Sequence, residues 1–426
     1  MFTGTIAIFV LLFLVFLGMP IAIALLLIGI TGITYLVGWD VMVPSMGGQL
    51  FTSVHKYGFS VILMFVFLGQ LGYHSGLLSE VFEVARRWMG RIRGGLAIGV
   101  VAADSIFAAA SGSSIAACVV VGKAAIPVMK KAGYSDAMST GVVAASGTLA
   151  ALIPPSIAIC IYGLIVDESI GKLLIGGIIP GVISAIIYMV FILARSRGMP
   201  ISEEKFTWRS RLYSIRYLWV IVVLIMTIMG GIYLGLCTPT EGGAFGAFVI
   251  LLLTLVTRKM NRGVLRESIK STVSTTGMIL IIIVGAIVFS RFLVMSGFNR
   301  DIMGFVAAMA VPRVVVFLLV TLIFFILGCF VGATGMMVMT LPILHPMMMS
   351  LGFNSLWFGI IVVKYCEMSY ITPPVGVNLY AVKGVAPEVS LGTIIRGSAP
   401  FLTMDLLTIG VFYIFPQLIT FLPSLM

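Results

Sequence analysis

At 426 residues, 60% hydrophobic and only 10% charged, with a mean hydropathy of +1.19, the chain carries too little charge to cover a water-facing surface. Soluble domains use about a quarter of their residues for that, so the composition implies an all-α polytopic membrane protein embedded in the lipid bilayer. The net charge of +11 lies mostly in short loops between apolar runs; there it sets membrane orientation and does not point to a nucleic-acid partner.

In chain order, Met1-Phe2-Thr3 offers no basic n-region. The first apolar run, 4–38, is therefore expected to stay as membrane helix and not to be cleaved as a signal peptide. Gly18-Met19-Pro20 is a candidate division within it. A crossing takes about 20 apolar residues, and further crossings are expected at 57–76, 138–165, 171–194, 217–236, 240–257, 272–296, 355–382 and 398–422. Two stretches, 94–131 and 313–350, are too long for one crossing and have small polar residues near their middles.

Four basic clusters are expected on the cytoplasmic side. They are Arg86, Arg87, Arg91 and Arg93; Lys130-Lys131; Arg195, Arg197, Lys205, Arg209, Arg211 and Arg216; and Arg258, Lys259, Arg262, Arg266 and Lys270. Segment 94–131 then begins and ends on that side and must turn back within the membrane as a re-entrant hairpin. By the same count 313–350 is a second hairpin, entered from outside.

The two hairpin regions share landmarks. Pro127 and Pro346 lie 219 positions apart (346 minus 127), and so do Gly133 and Gly352, Tyr134 and Phe353, and the pairs Pro154-Pro155 and Pro373-Pro374. One copy starts inside and the other outside, which makes an inverted-topology repeat. Secondary transporters use that architecture and bind near the midplane, where broken helices of both repeats meet. The expected organisation is N-terminal scaffold helices over 1–93, a first repeat over 94–194, a basic loop and central scaffold helices over 195–296, and a second repeat over 313–422.

Lipid does not tolerate broken backbone, so interruptions in apolar segments belong where they are buried in protein or line a wet cavity. The first repeat has Ser111-Gly112-Ser113-Ser114 at its hairpin tip, then Ser146-Gly147-Thr148 and Ile153-Pro154-Pro155-Ser156. The prolines interrupt the helical ladder and should free carbonyls around Ala150 and Ala151. The second repeat has Gly332-Ala333-Thr334-Gly335 at the tip and Ile371-Thr372-Pro373-Pro374-Val375-Gly376-Val377-Asn378 at the break. Hydroxyls and freed carbonyls are oxygen ligands suited to a hard cation such as sodium, while helix N-termini favour an anion. The first candidate sodium site is Ser111, Gly112, Ser113, Ser114, Gly147, Pro154 and Pro155. The second is Gly332, Thr334, Gly335, Thr372, Pro373 and Gly376. Candidate substrate contacts are Ser113, Ser156, Thr334, Thr372 and Asn378.

These motifs, in this order over nearly the whole chain, resemble the large membrane subunit of tripartite ATP-independent periplasmic (TRAP) transporters. Thr238-Pro239-Thr240-Glu241-Gly242-Gly243-Ala244, and Glu367 leading into the second break, belong to the same resemblance. It implies a sodium-driven importer of organic acid anions in the bacterial cytoplasmic membrane, with an elevator-type transport domain. It also implies a small four-helix membrane subunit, expected as a separate chain, and an extracytoplasmic substrate-binding protein. Relatives commonly carry an acidic residue at the second tip, at the position matching Gly332, where this chain has none. Sialic acid, C4-dicarboxylates, keto acids and small sulfonates all remain open as cargo.

Ionisable residues within apolar runs are usually functional; Asp104, Lys123, Glu241, Arg291, Lys364, Glu367 and Lys383 qualify. Snorkelling to the interface is favoured for Lys383 and stands as an alternative for Lys123 and Arg291. Glu241, next to Pro239, suits a helix N-terminus. The five cysteines show no C-x-x-C spacing, the three histidines no metal spacing, and there is no Walker-type phosphate loop. The competing readings are a stand-alone sodium/anion symporter and, remotely, an intramembrane serine protease using Ser111-Gly112-Ser113 with His345.

Overall fold

A run of capped apolar helices accounts for the architecture of the chain, seen here in a computed structural model that describes residues 2–55, 57–201, 206–308 and 311–426. Lys205, one member of the third basic cluster, lies outside the described residues. Among those residues there is no β-strand, and seven helical segments are long and apolar enough to cross a membrane.

The N-terminal run divides where glycine and proline stand: α1 (Phe2–Phe16) and α2 (Ile21–Val37) flank Gly18, which has φ +87°, and Pro20. After α3 (Trp39–Val54) come α4 (Ser60–His74) and α5 (Val81–Met89), a short helix whose last turn carries Arg86 and Arg87. The first hairpin is α6 (Gly95–Ser111) and α7 (Ser114–Lys131). The expected crossing at 138–165 is broken in two, α8 (Asp136–Ser146) and α9 (Ile157–Val166), joined by a 3-10 turn, Gly147–Ala151, and the proline pair. α10 (Ile170–Ala194) completes the first repeat.

The middle of the chain holds α11 (Trp208–Ile215) in the basic loop, then α12 (Trp219–Ile225) and α13 (Gly231–Tyr233), joined through a wide π turn at Met226–Gly230. α14 (Pro239–Val256) starts with a capping box: Thr238 Oγ1 accepts from the Glu241 amide, and the Glu241 carboxylate accepts from the Thr238 amide at 2.7 Å. α15 (Arg262–Met295) is longer than the expected 272–296 because Asn261 caps it further back. After α16 (Phe298–Ala308), the second hairpin is α17 (Arg313–Phe330) and α18 (Ala333–Ser350). The next crossing is again broken, into α19 (Ser355–Ile371) and α20 (Val377–Val385). α21 (Leu391–Ile414) and the single turn α22 (Gln417–Thr420) end the fold.

The repeats match in backbone detail. Gly133 and Gly352 both take left-handed φ, +87° and +80°, and the residue after each donates its amide to the carbonyl five positions back. Ser135 caps α8 and Asn354 caps α19, again at the 219-position offset, and both proline pairs are cis. The repeats interlock through small residues, which let helix backbones approach closely in a membrane: a Cβ on Gly141 of α8 would stand 2.2 Å from the Gly397 carbonyl carbon of α21. The scaffold pair α2 and α15 packs the same way, through Gly29, Gly32 and Gly285.

The basic clusters share one face. Glu83 pairs with Arg86 and Arg87, whose guanidiniums lie over Phe206 of the basic loop. Tyr134, just after the second cluster, donates to the Pro200 carbonyl at 3.2 Å, and Lys259 of the fourth donates to the Gly76 carbonyl at 3.0 Å. With Asp167, Glu168 and the α15 C-terminus at the opposite end, the charge distribution of this multi-pass chain assigns the basic face to the cytoplasmic side.

Candidate functional site: hairpin tips and helix breaks

In each repeat the hairpin tip sits on the helix break of the same repeat. Gly112 ends α6 with φ +60°, and a Cβ there would stand 2.5 Å from the Pro155 carbonyl oxygen. Ser113 then caps α7, its Oγ accepting from the Ala116 amide at 3.4 Å. Gly147 closes the other side: a Cβ on it would meet the Cys118 sulfur at 2.3 Å and the Ser114 carbonyl oxygen at 3.2 Å. A Cβ on Gly69 of α4 would stand 2.3 Å from the Ser111 carbonyl, so the scaffold reaches this tip too. Ser111 and Ser114 are buried, Gly112 and Ser113 half-buried. The Ser114 hydroxyl is buried with no hydrogen-bond partner.

The structure thus brings Ser111, Gly112, Ser113, Ser114, Gly147, Pro154 and Pro155 into one group. Ser156 is also there, but its hydroxyl is occupied within the break: it donates to the Ala151 carbonyl and accepts from the Ile159 amide. That bond takes up one of the carbonyls that the proline pair was expected to free.

At the second tip Gly332 has ordinary dihedrals, φ −63° and ψ 155°, and open space where a Cβ would go. Thr334 is half-buried in the first turn of α18, and a Cβ on Gly335 would press on Ile21 of α2 at 2.2 Å. The Val375 amide donates to the Cys329 carbonyl at 3.2 Å, joining break to tip. Thr372 is buried and donates to the Met368 carbonyl at 2.6 Å, and Gly376 follows the proline pair with φ +23°. Asn378 links the two groups: its Nδ2 donates to the Ala144 carbonyl of α8 at 3.1 Å, while its Oδ1 is buried and unpartnered.

The ionisable residues separate into distinct settings. Asp104, fully buried on α6, accepts from the Ser146 hydroxyl and keeps Oδ1 unpartnered. Lys123 is exposed, and Lys383 donates to the Pro387 and Val389 carbonyls just past the end of α20. Lys364 and Glu367 pair with each other in the interior, together with Asp405 and Tyr188. Reading from sequence missed Asp405, although a lone aspartate in the apolar α21 was a visible signal, and it missed Tyr188, which nothing local marks. Arg291 lines a cavity of about 720 Å³ between α15 and the helices α9 and α18, with Ser290, Asn299 and His345. None of the tip residues lines that cavity. His345 bonds Ser355 at 3.0 Å, so its geometry offers the protease reading no support. Among the described residues no three His, Cys, Asp or Glu side chains cluster as metal ligands.

Inverted repeats, two re-entrant hairpins and two broken helices meeting in a membrane interior define a secondary-transporter fold. The Alcanivorax borkumensis YdaH transporter has a similar fold (TM-score 0.63, 17% identity, 90% of each chain). Residues 8–418 match the DctM component of the tripartite ATP-independent periplasmic transporters. The C4-dicarboxylate TRAP transporter large permease protein DctM of Pseudomonas aeruginosa is 35% identical over 90% of this chain and 88% of its own length. The ectoine/5-hydroxyectoine large permease UehC of Ruegeria pomeroyi is 30% identical over 97% and 96%, and the sialic acid permease SiaT of Haemophilus influenzae 29% over 99% and 68%. The chain belongs to the DctM family of TRAP transporter large permeases.

Proposed function

We propose that this chain is the translocating subunit of a three-part importer that moves a small organic acid anion inward with sodium. It works with a separate small membrane subunit and an extracytoplasmic binding protein. The observation that carries the reading is the meeting of tip and break in both repeats, with the Asn378–Ala144 bond joining the two. The names of the relatives, which concern a C4-dicarboxylate, a sialic acid and an ectoine, support a carboxylate-bearing cargo.

Sodium enters as co-transported cargo. At the first tip the donors suit it: an orphaned buried hydroxyl, Ser114, sits among main-chain carbonyls and serines, with no carboxylate required. The organic anion then binds against a locally positive site made by sodium and by the N-termini of α7 and α18. Because hairpins and breaks interlock, α6–α10 and α17–α21 move as one elevator domain against the scaffold of α2, α4, α14 and α15.

The test is uptake into proteoliposomes holding both membrane subunits, with the binding protein loaded with its own co-purified ligand outside. Uptake is expected to need an inward sodium gradient and to stop when choline replaces sodium. Undiminished uptake without sodium overturns the coupling; equal uptake of free ligand without the binding protein replaces the three-part system with a stand-alone symporter.

A further inference from the structure

The cluster around Lys364 plays no part in that reading. Lys364 and Glu367 on α19, Asp405 on α21 and Tyr188 on α10 are all closed to solvent. The Lys364 ammonium donates to Glu367 and, at 2.8 Å, to Asp405 Oδ1. The Tyr188 hydroxyl donates to the same Oδ1 at 2.6 Å, and its ring lies 5.6 Å from the ammonium. The other titratable groups around Glu367 are Cys366 and Tyr370 on its own helix, and neither can supply positive charge. One ammonium therefore faces two carboxylates. Glu367 Oε1 and Asp405 Oδ2 are buried with no hydrogen-bond partner.

An uncompensated charge sealed in an interior is strongly disfavoured even after relaxation. A proton on one carboxyl removes the excess here. Hydrogen bonds to the ionised form favour that form, and the two groups differ in how many they receive. Asp405 accepts from both Lys364 and Tyr188; Glu367 accepts from Lys364 alone.

We infer that this cluster is a proton-binding site in which Glu367 is the protonated carboxyl and Lys364–Asp405 the retained ion pair. The neutral cluster touches both repeats and both breaks. Glu367 stands just over a turn before Thr372, and the Tyr188 hydroxyl stands beside Thr148 in the turn leading to Pro154. A transport domain braced by an uncharged cluster can cross the bilayer without carrying a buried net charge there. The site is separate from sodium at the tips and does not depend on it.

The test is infrared spectroscopy of the full-length chain in lipid nanodiscs, with and without ¹³C-carboxyl glutamate. At about pH 6, roughly two units above the ordinary glutamate value, a protonated-carboxyl C=O band is expected. It should shift with the label and vanish in Glu367→Gln. Absence of a glutamate-sensitive band at that pH, or its persistence in the variant, overturns the assignment. Should Glu367→Gln fail to fold, Glu367→Asp serves instead: the band should then lose the shift that labelled glutamate gives, and a band that keeps it overturns the assignment.

Discussion

The two hairpin tips follow the same backbone route but are held differently. The first is clamped: Gly112 against Pro155, Gly147 against Cys118, and Gly69 against Ser111, each so close that a methyl group would not fit. The second is pressed by the scaffold at Gly335, against Ile21, but is open at Gly332 and joined to its break by the main-chain bond from Val375 to Cys329. Side-chain oxygens divide the same way. Ser114 keeps an unspent hydroxyl at the first tip, whereas Thr372 spends its own on the preceding turn of α19. The repeats thus share what directs the chain and differ in which side-chain oxygens are left unspent.

The largest expected effect breaks the clamp. Gly112→Ala must hold an L-residue in left-handed dihedrals, at about 1–2 kcal/mol, and must also push Pro155 away. Sodium-driven uptake by Gly112→Ala should be nearly abolished with the protein still in the membrane. Gly332→Ala, with ordinary φ and free space, should transport at close to the native rate. Equal losses in the two variants would erase the distinction between the tips.

Next comes Ser114→Ala. Removing an unpartnered buried hydroxyl leaves no broken bond in the fold, so thermal stability should hold or rise slightly. The sodium concentration for half-maximal uptake should rise by up to about tenfold, the factor that corresponds to 1.4 kcal/mol. Thr372→Val loses a hydroxyl already bonded within its helix and should shift sodium dependence less. A larger shift for Thr372→Val would reverse the ranking of the two sites.

That ranking shows what could be read in the sequence. Glycines, prolines and caps impose backbone geometry locally, so Gly133 and Gly352, the proline pairs and the Ser-Gly-Ser-Ser tip mark the hairpins, the breaks and their inversion in the sequence itself. The division of the N-terminal run at Gly18 and Pro20 was legible for the same reason. Contacts between distant segments were not. Nothing near Asp405 says that Lys364 and Tyr188 will meet it, 41 and 217 positions away. The Ala151 carbonyl could be named as released by Pro155, but its capture by the Ser156 hydroxyl depends on the folded path of the break.

Asn378 measures the link between the repeats. Asn378→Ala removes its bond to the Ala144 carbonyl, and a hydrogen bond between membrane helices contributes about 0.6 kcal/mol on average. A melting temperature lower by about one degree is expected in detergent, and a double substitution with Gly397→Ala should cost more than the sum, since both sites join α8 to the second repeat. Simple additivity would mean that the two contacts act independently.

The smallest effect comes from the turns that follow the hairpins. After the first, Lys130 bonds Glu388 at 2.6 Å and Asp136 at 3.0 Å on the cytoplasmic face. At the matching positions of the second repeat stand Met349 and Ser355, and Ser355 is bonded to His345 instead. The hydrogen bond from Lys130, then one from its own amide, hold the Glu388 carboxyl below its ordinary value. A lowered folded-state pKa means that the contribution is complete above the unfolded value of about 4.3 and disappears as pH falls through the folded one. Glu388→Gln should therefore lower the melting temperature slightly at neutral pH and not at all well below pH 4. Both groups face water, so about 1 M salt, with a screening length near 3 Å, should also remove the difference. A loss that salt leaves intact would mean that Glu388 acts through packing, and the charge contrast between the two turns would then explain nothing about their stability.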